Sequence, residues 1–331
     1  MIALQYLRKK KLKAPVLGLL ATLMLGSVAA MGVITPESAA ASQTYSGVGT
    51  WFDKVGGRGG ACGIPPAQIE SKNFVALNVW DMPNDFAASP SARPIPADKS
   101  NIKGMYDNGR NCGRWVEIKL SDFCSVANGG APGAGICRGG TWKPDKYNGA
   151  SLKAVVTDSC GDGNEWCRSD RNHLDISRYG VGQFTMPDGK PAGDLIGAGA
   201  WNNRKIDWSF IPAPNYSGDI KLAFAEGAEK YYAPLLISNL PNGIHGVEYF
   251  DGSTWKRVAK TTDNGQRFDI EASNAARTSY TIRVIDADDK LLNGGREYTF
   301  GRADCAQGSG KCGQSQIYNP VTYTTRPGSG G

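Results

Sequence analysis

The sequence predicts an all-β chain of two β domains joined by a proline-rich hinge. Three observations carry this. Short apolar runs recur between clusters of Gly, Pro, Asn and Asp, which is how strands and turns alternate. Among 331 residues, 43 are Gly and 18 are Pro, a load that favours many turns over long helices. The patterning changes at Pro212-Ala213-Pro214, where proline fixes φ and cannot donate to a ladder. Hydrophobic residues make up 40% of the chain, too many for a disordered polypeptide, and they are too dispersed for a multispan membrane protein.

Residues 1–41 read as a secretory signal. Arg8, Lys9, Lys10, Lys11 and Lys13 precede an apolar run from Val16 to Ile34, and Ser38-Ala39-Ala40-Ala41 then supplies a small-residue cleavage site after Ala41. A membrane anchor is the competing reading, because the run is just long enough to span a bilayer. Gly18, Gly26, Gly32 and the small-residue site favour removal, leaving no membrane association. Cleavage also changes the charge balance: 37 basic and 31 acidic residues become 32 and 30, so a net charge of +6 falls to +2.

Export makes the cysteines readable as disulfides. Cys62, Cys112, Cys124, Cys137, Cys160 and Cys167 fall in the first domain, implying three bridges there with the pairing open. Cys305 and Cys312 imply one small loop near the C-terminus. No C-x-x-C pair is present and His173 and His245 are the only histidines, so neither a metal site nor a cofactor is expected.

The first domain, residues 44–211, carries strand-like runs at 74–79, 115–120, 154–158 and 205–210, consistent with a closed barrel. A short helical turn is expected within 175–180. After the hinge, 212–214, residues 215–302 alternate more cleanly, at 219–225, 231–238, 246–250, 267–271, 279–285 and 296–300. Turn signals at Pro241-Asn242-Gly243, Asp251-Gly252 and Asp263-Asn264-Gly265 separate them, the signature of a small β-sandwich. Residues 303–331, rich in Gly, Ser, Gln and Thr, read as a flexible tail held by its one disulfide. Acidic and basic residues nearly balance in each domain, which disfavours nucleic acid and fits a neutral ligand held by aromatic contacts.

Four segments carry the chemistry. The first domain opens with Gly49-Thr50-Trp51-Phe52-Asp53 and continues with Gly59-Gly60-Ala61-Cys62-Gly63. Val156-Thr157-Asp158-Ser159-Cys160 and Asn172-His173-Leu174-Asp175-Ile176-Ser177 follow. In order and spacing these segments resemble the expansin family, including its microbial members. The likeness continues in the second domain through Glu226-Gly227, Tyr231-Tyr232 and Ser238-Asn239, and covers roughly residues 44–302.

The resemblance implies a six-stranded double-psi β-barrel followed by an immunoglobulin-like carbohydrate-binding domain. It implies one surface that binds cell-wall glucan, cellulose or xyloglucan, and loosens it without hydrolysis, in a secreted, extracellular monomer. Thr50, Asp158 and Asp175 would line the groove, with Asp175 the acid on which loosening depends. Microbial members often place a tyrosine where this chain has Cys160, and Trp166 is the candidate to replace that contact. Tyr231 and Tyr232 stand where the family has an adjacent aromatic pair. No aromatic lies near 262–265, so Tyr249 or Trp255 would complete the strip, with Lys221, Lys230 and Lys256 as polar partners at its rim.

The residues themselves leave two readings of Asp175 open. Flanked by Leu174 and Ile176, its carboxyl sits near a buried edge, where burial raises proton affinity and keeps an acid able to donate. Alternatively it caps a helical turn. Tyr231 and Tyr232 carry a similar ambiguity, because strand neighbours face opposite sides unless a bulge intervenes.

Two other functions fit the same residues. Asp53 stands where related inverting endoglucanases carry their general base, so Asp53 and Asp175 could form an inverting β-1,4-glucanase pair, which needs carboxyls about 6.5–9.5 Å apart. The bland reading of Asp53 is a solvated turn residue. Related barrels also act on peptidoglycan, which makes murein the third candidate partner.

Overall fold

The structure, a computed structural model, describes residues 43–78, 104–126, 137, 139–161, 166–167, 170–201, 204–229, 232–258, 265–270, 278–303 and 317–328. The signal segment, Lys230, Tyr231, residues 262–264, Cys305 and Cys312 lie outside them. Among the described residues no helix is long and apolar enough to cross a membrane.

The first half of the chain forms β1 (Tyr45–Phe52), β2 (Phe74–Asn78), β3 (Trp115–Leu120), β4 (Phe123–Cys124), β5 (Trp142–Lys143), β6 (Ser151–Cys160), β7 (Leu174–Ser177) and β8 (Arg204–Ile211). The second half forms β9 (Lys221–Ala225), β10 (Ala233–Ser238), β11 (Gly246–Phe250), β12 (Trp255–Arg257), β13 (Arg267–Ile270), β14 (Ser279–Ile285), β15 (Glu297–Gly301), β16 (Tyr318–Pro320) and β17 (Tyr323–Arg326).

Six strands close the barrel in the order β1-β7-β2-β6-β3-β8, with β1/β7 and β2/β6 parallel and the other described pairs antiparallel. Alternation fills its interior: Val75 and Leu77 of β2, Leu152, Ala154 and Val156 of β6, and Leu174 and Ile176 of β7 share one core with Ile206 and Trp208. Beneath the barrel the fully buried Arg204 forks onto both carboxylate oxygens of Asp145 at 2.7 and 2.8 Å. Three disulfides, Cys62–Cys112, Cys124–Cys137 and Cys160–Cys167, fall in this domain, as expected.

The sandwich stacks a sheet ordered β13-β10-β9-β16 on one ordered β12-β11-β14-β15-β17. Leu222, Phe224, Leu235 and Ile237 meet Val247, Tyr249, Ile282, Tyr298 and Phe300 between them. Tyr249 is therefore core, 5% exposed, and not part of a binding strip.

The region expected to be a flexible tail supplies an edge strand to each sheet: β16 pairs with β9 and β17 with β15. The reason is local. Tyr318 to Thr325 combines Tyr, Val and Thr, which fit a pleated, half-buried surface, inside a segment whose overall composition looked polar. Tyr323 packs on the sandwich core and donates its hydroxyl to the Ile220 carbonyl.

The two domains pack directly. Ile64 and Ile69 of the barrel cover Ala223, Ala225 and Leu236 on the outer face of the four-stranded sheet. Lys221 pairs with Glu70 at 2.8 Å, and Arg58 pairs with Glu226.

Candidate functional site

Strand register aligns the groove residues. Thr50 pairs with Asp175, Asp175 with Ala76, and Ala76 with Asp158, so the three predicted residues lie in one row across β1-β7-β2-β6. Because interior positions alternate with exterior ones, this row faces outward from the barrel. Asp158 joins it through a β-bulge. The β2–β6 register shifts between Val75 and Ala76, passing over Thr157, and a bulge re-aims the side chains beyond it.

Asp158 is held by a glycine-rich loop. Its Oδ1 accepts from the Ala61 amide at 2.7 Å and from the Ser159 amide at 2.9 Å. Gly60 allows that approach: its φ is +58°, and a Cβ there would stand 2.7 Å from the Asp158 carboxyl carbon. The Cys62–Cys112 disulfide and the Tyr106 hydroxyl, 3.0 Å from the Ala61 carbonyl, fix the loop from beneath.

Asp175 sits at the centre of a buried chain. Thr50 Oγ1 donates to Asp175 Oδ1 at 2.8 Å and lies 2.8 Å from His173 Nε2. Thr50 is 6% exposed and His173 is fully buried. Burial holds the His173 pKa down to about 3, so the ring is neutral. The single Thr50 proton goes to the carboxylate, so the histidine must present Nε2–H, leaving Nδ1 as the lone pair. Nδ1 is indeed a buried atom without a hydrogen-bond partner. Burial pushes the Asp175 pKa up to about 6, opposed by the Thr50 hydrogen bond and assisted by the charge of Asp158. Asp175 is not a helix cap: Leu174–Ser177 is a strand, and Ser177 caps the one-turn helix Arg178–Val181 by accepting from the Gly180 amide.

The Cys160–Cys167 disulfide lies against Asp175. With Phe52 it packs on Ala76, the small residue between the two acids, and Cys160 Sγ lies 3.8 Å from Asp175 Oδ2. A disulfide sulfur has no proton to give, so this is a packing contact. The same two sulfurs cluster with His173, yet once oxidised to each other they are not metal ligands. Trp166, half-buried, precedes Cys167 of this disulfide in the chain.

Asp53 lies past the end of β1, beyond the row next to Asp175. It is exposed and borders a shallow recess of about 300 Å³ with Lys54, Lys72, Phe74 and Tyr179. Register places Phe52, Ser177 and Phe74 in the row under that recess, beside the row of Asp175. Trp51 is exposed, with the Arg178 guanidinium over one face, 5.2 Å from its ring centre.

The second-domain candidates divide between two faces. Tyr232 is exposed and accepts a hydrogen bond from Arg267 on the outer face of the four-stranded sheet. It closes the β9–β10 hairpin opposite Glu229, and Glu226 in the same hairpin meets Arg58 of the barrel loop that leads to Asp158. Trp255 is on the outer face of the other sheet, stacked beside Phe250 (5.4 Å) and under Arg283 (4.5 Å), so it does not extend a strip that begins at Tyr232. Lys221, tied to Glu70, braces the domain interface. Sequence reading missed His173 as a working residue and Phe52 as a lid. The register that brings both to Asp175 is a tertiary property.

No family model matches the chain, and no curated protein matches it significantly. Among solved structures it is similar to the apo crystal structure of an expansin from Clavibacter michiganensis, at 17% identity and a TM-score of 0.46, over 76% of this chain and 89% of that one. It is also similar to an Asp-to-Asn mutant of Clavibacter michiganensis expansin in complex with cellohexaose, at 18% identity and a TM-score of 0.45, over 76% and 89%. These likenesses concern architecture only. The chain's own architecture is a closed six-stranded barrel followed by a β-sandwich.

Proposed function

We propose that this is a secreted protein that binds cell-wall polysaccharide, cellulose or hemicellulose, and loosens it without hydrolysis. The observation that carries the reading is the outward row of Thr50, Asp175 and Asp158, joined through Arg58 and Glu226 to the hairpin that bears Tyr232. A buried acid with a pKa near 6 and a second carboxylate fixed by backbone amides can hydrogen-bond sugar hydroxyls as donor and acceptor. Tyr232 offers an apolar ring to the C–H face of a pyranose. Such contacts compete with glucan–glucan contacts in reversible steps and break no covalent bond. Three disulfides in the barrel suit an oxidising, extracellular setting.

The test pairs retention on cellulose and on purified peptidoglycan with release of reducing ends and with extension of clamped wall strips. The expected result is retention on cellulose, extension without new reducing ends, loss of extension in Asp175→Asn, and weaker retention in Tyr232→Ala. An aromatic contact is worth about 0.5–1.5 kcal/mol, so retention falls roughly two- to tenfold. Steady product release abolished by Asp53→Asn or Asp158→Asn makes the protein an inverting glucanase. Retention on peptidoglycan alone moves the substrate to murein.

A further inference from the structure

A second polar crevice lies apart from the Asp175 row, between the first turn of β1, the 104–111 segment and the sandwich. It encloses about 660 Å³, within the range of small-ligand sites. Tyr45 and Phe210, both half-buried, form its aromatic side: Tyr45 is 4.7 Å from Trp208 and 6.2 Å from Phe210, centre to centre.

Arg114 stands on its wall with the guanidinium 3.7 Å over the Phe210 ring. Among the described residues its hydrogen bond is to Asn111 Oδ1, at 3.0 Å, and no carboxylate pairs with it. Its Nε is buried and has no hydrogen-bond partner. Asp286 and Asp288 act on it only at a distance, and burial pushes its pKa below the usual arginine value. Arg114 is half-buried, and one neutral amide together with a ring face worth about 0.5–2 kcal/mol leaves part of the desolvation cost of its guanidinium unmet. Arg171 adds a second guanidinium to the lining. The acid that also lines the crevice, Asp107, is 3.7 Å from Arg110, so its charge is partly met.

We propose that this crevice is a second saccharide site, specific for a carboxylate-bearing sugar, with a hexuronate carboxylate on Arg114 and its ring against Tyr45 and Phe210. Planar guanidinium and planar carboxylate match as a two-bond fork. That the ligand is a sugar rests on the function proposed above; that it is an anion rests on Arg114 alone. A protein with this site holds neutral glucan at one surface and acidic polysaccharide at another, so it joins two wall polymers.

The test uses the mature chain, tetragalacturonate and the fully methyl-esterified tetramer, which has the same ring shape without charge. Amide shifts on titration map the site without any substitution. The expected shifts fall at residues 43–46, 104–111 and 171–172 and around Phe210, with at least tenfold weaker binding of the ester and weakening with added salt. Arg114→Gln loses at least tenfold in tetragalacturonate affinity while its retention on cellulose is unchanged. Shifts centred on Thr50, Asp158, Asp175 or Tyr232, equal affinity for acid and ester, or no binding overturns the proposal. So does an Arg114→Gln protein that binds within twofold of the parent. Loss of cellulose retention in the parent protein overturns the glucan-binding function and leaves the anion result to be read by itself.

Discussion

Replacing Thr50 by valine keeps the shape of a buried side chain and removes the one hydroxyl that Asp175 and His173 share. Two losses follow, with different pH dependence. The His173 Nε2–H, 2.8 Å from Thr50 Oγ1, becomes a buried donor without a partner at every pH, a cost of about 1–3 kcal/mol. The hydrogen bond to Asp175 matters most when that carboxyl is ionised. Charge-assisted bonds contribute about 1.5–3 kcal/mol, and taking the lower end for a residue that is not fully enclosed gives about a tenfold rise in Asp175 proton affinity.

The sign is then fixed. In the parent protein the folded pKa of Asp175, about 6, lies above its ordinary value of 3.8. Between these values the native state holds a proton that the unfolded chain has lost, so stability falls as pH rises, by at most about 3 kcal/mol, and is flat above and below that window. In Thr50→Val the fall extends to higher pH. The deficit relative to the parent is therefore about 2 kcal/mol at pH 4.5 and about 3.5 kcal/mol at pH 8. Denaturant unfolding at the two pH values, with a carbon-detected titration of the Asp175 carboxyl, measures both. A deficit equal at pH 4.5 and 8, or an unmoved Asp175 titration, refutes the shared-hydroxyl account.

Two further outcomes follow from the same structure. Cys160→Ser with Cys167→Ser removes the apolar lid over Ala76 and admits water to Asp175, so its titration moves down from about 6 toward the ordinary carboxylate value, read by the same carboxyl signal. Deleting residues 317–331 strips one edge strand from each sheet and exposes the core beside Tyr323; a loss of about 2–3 kcal/mol lowers the melting temperature by roughly 5–10 °C in calorimetry.

The strands whose sequences alternate, such as 115–120 and 279–285, were legible because burial on one face imposes period two. So was the disulfide-rich first domain, since an even cysteine count needs no geometry. What stayed hidden depends on register. Nothing in Val156-Thr157-Asp158 announces that Thr157 is the bulged residue and that Asp158 therefore rejoins the outer face. Tyr249 and Trp255 looked equivalent as aromatics near turns, yet they occupy opposite faces of their sheet, and one residue of register decides between core and surface. The C-terminal strands were missed for a different reason: the short run of Tyr, Val and Thr at 318–325 is embedded in a segment rich in Gly, Ser and Gln, whose overall composition masked its strand signal.

Cys160 links the two levels. In the proposed sugar-binding groove, a tyrosine at this position would add a ring and leave the neighbouring acid open to water. A disulfide does the reverse. It contributes no polar contact to a ligand, but it packs with Phe52 over Ala76 beside Asp175, whose proton affinity burial raises. In the proposed function the aromatic contacts then come from Tyr232, across the Arg58–Glu226 bridge, and from Trp166, next in the chain to Cys167. Under the proposed acid-dependent loosening, activity follows the protonation of Asp175 and declines as pH rises through about 6. Restoring a ring with Cys160→Tyr in a Cys167→Ser background then strengthens neutral-glucan retention while moving the decline to lower pH. Wall extension and cellulose retention measured against pH on that one variant separate the two effects, because only an acid-dependent mechanism makes them move in opposite directions.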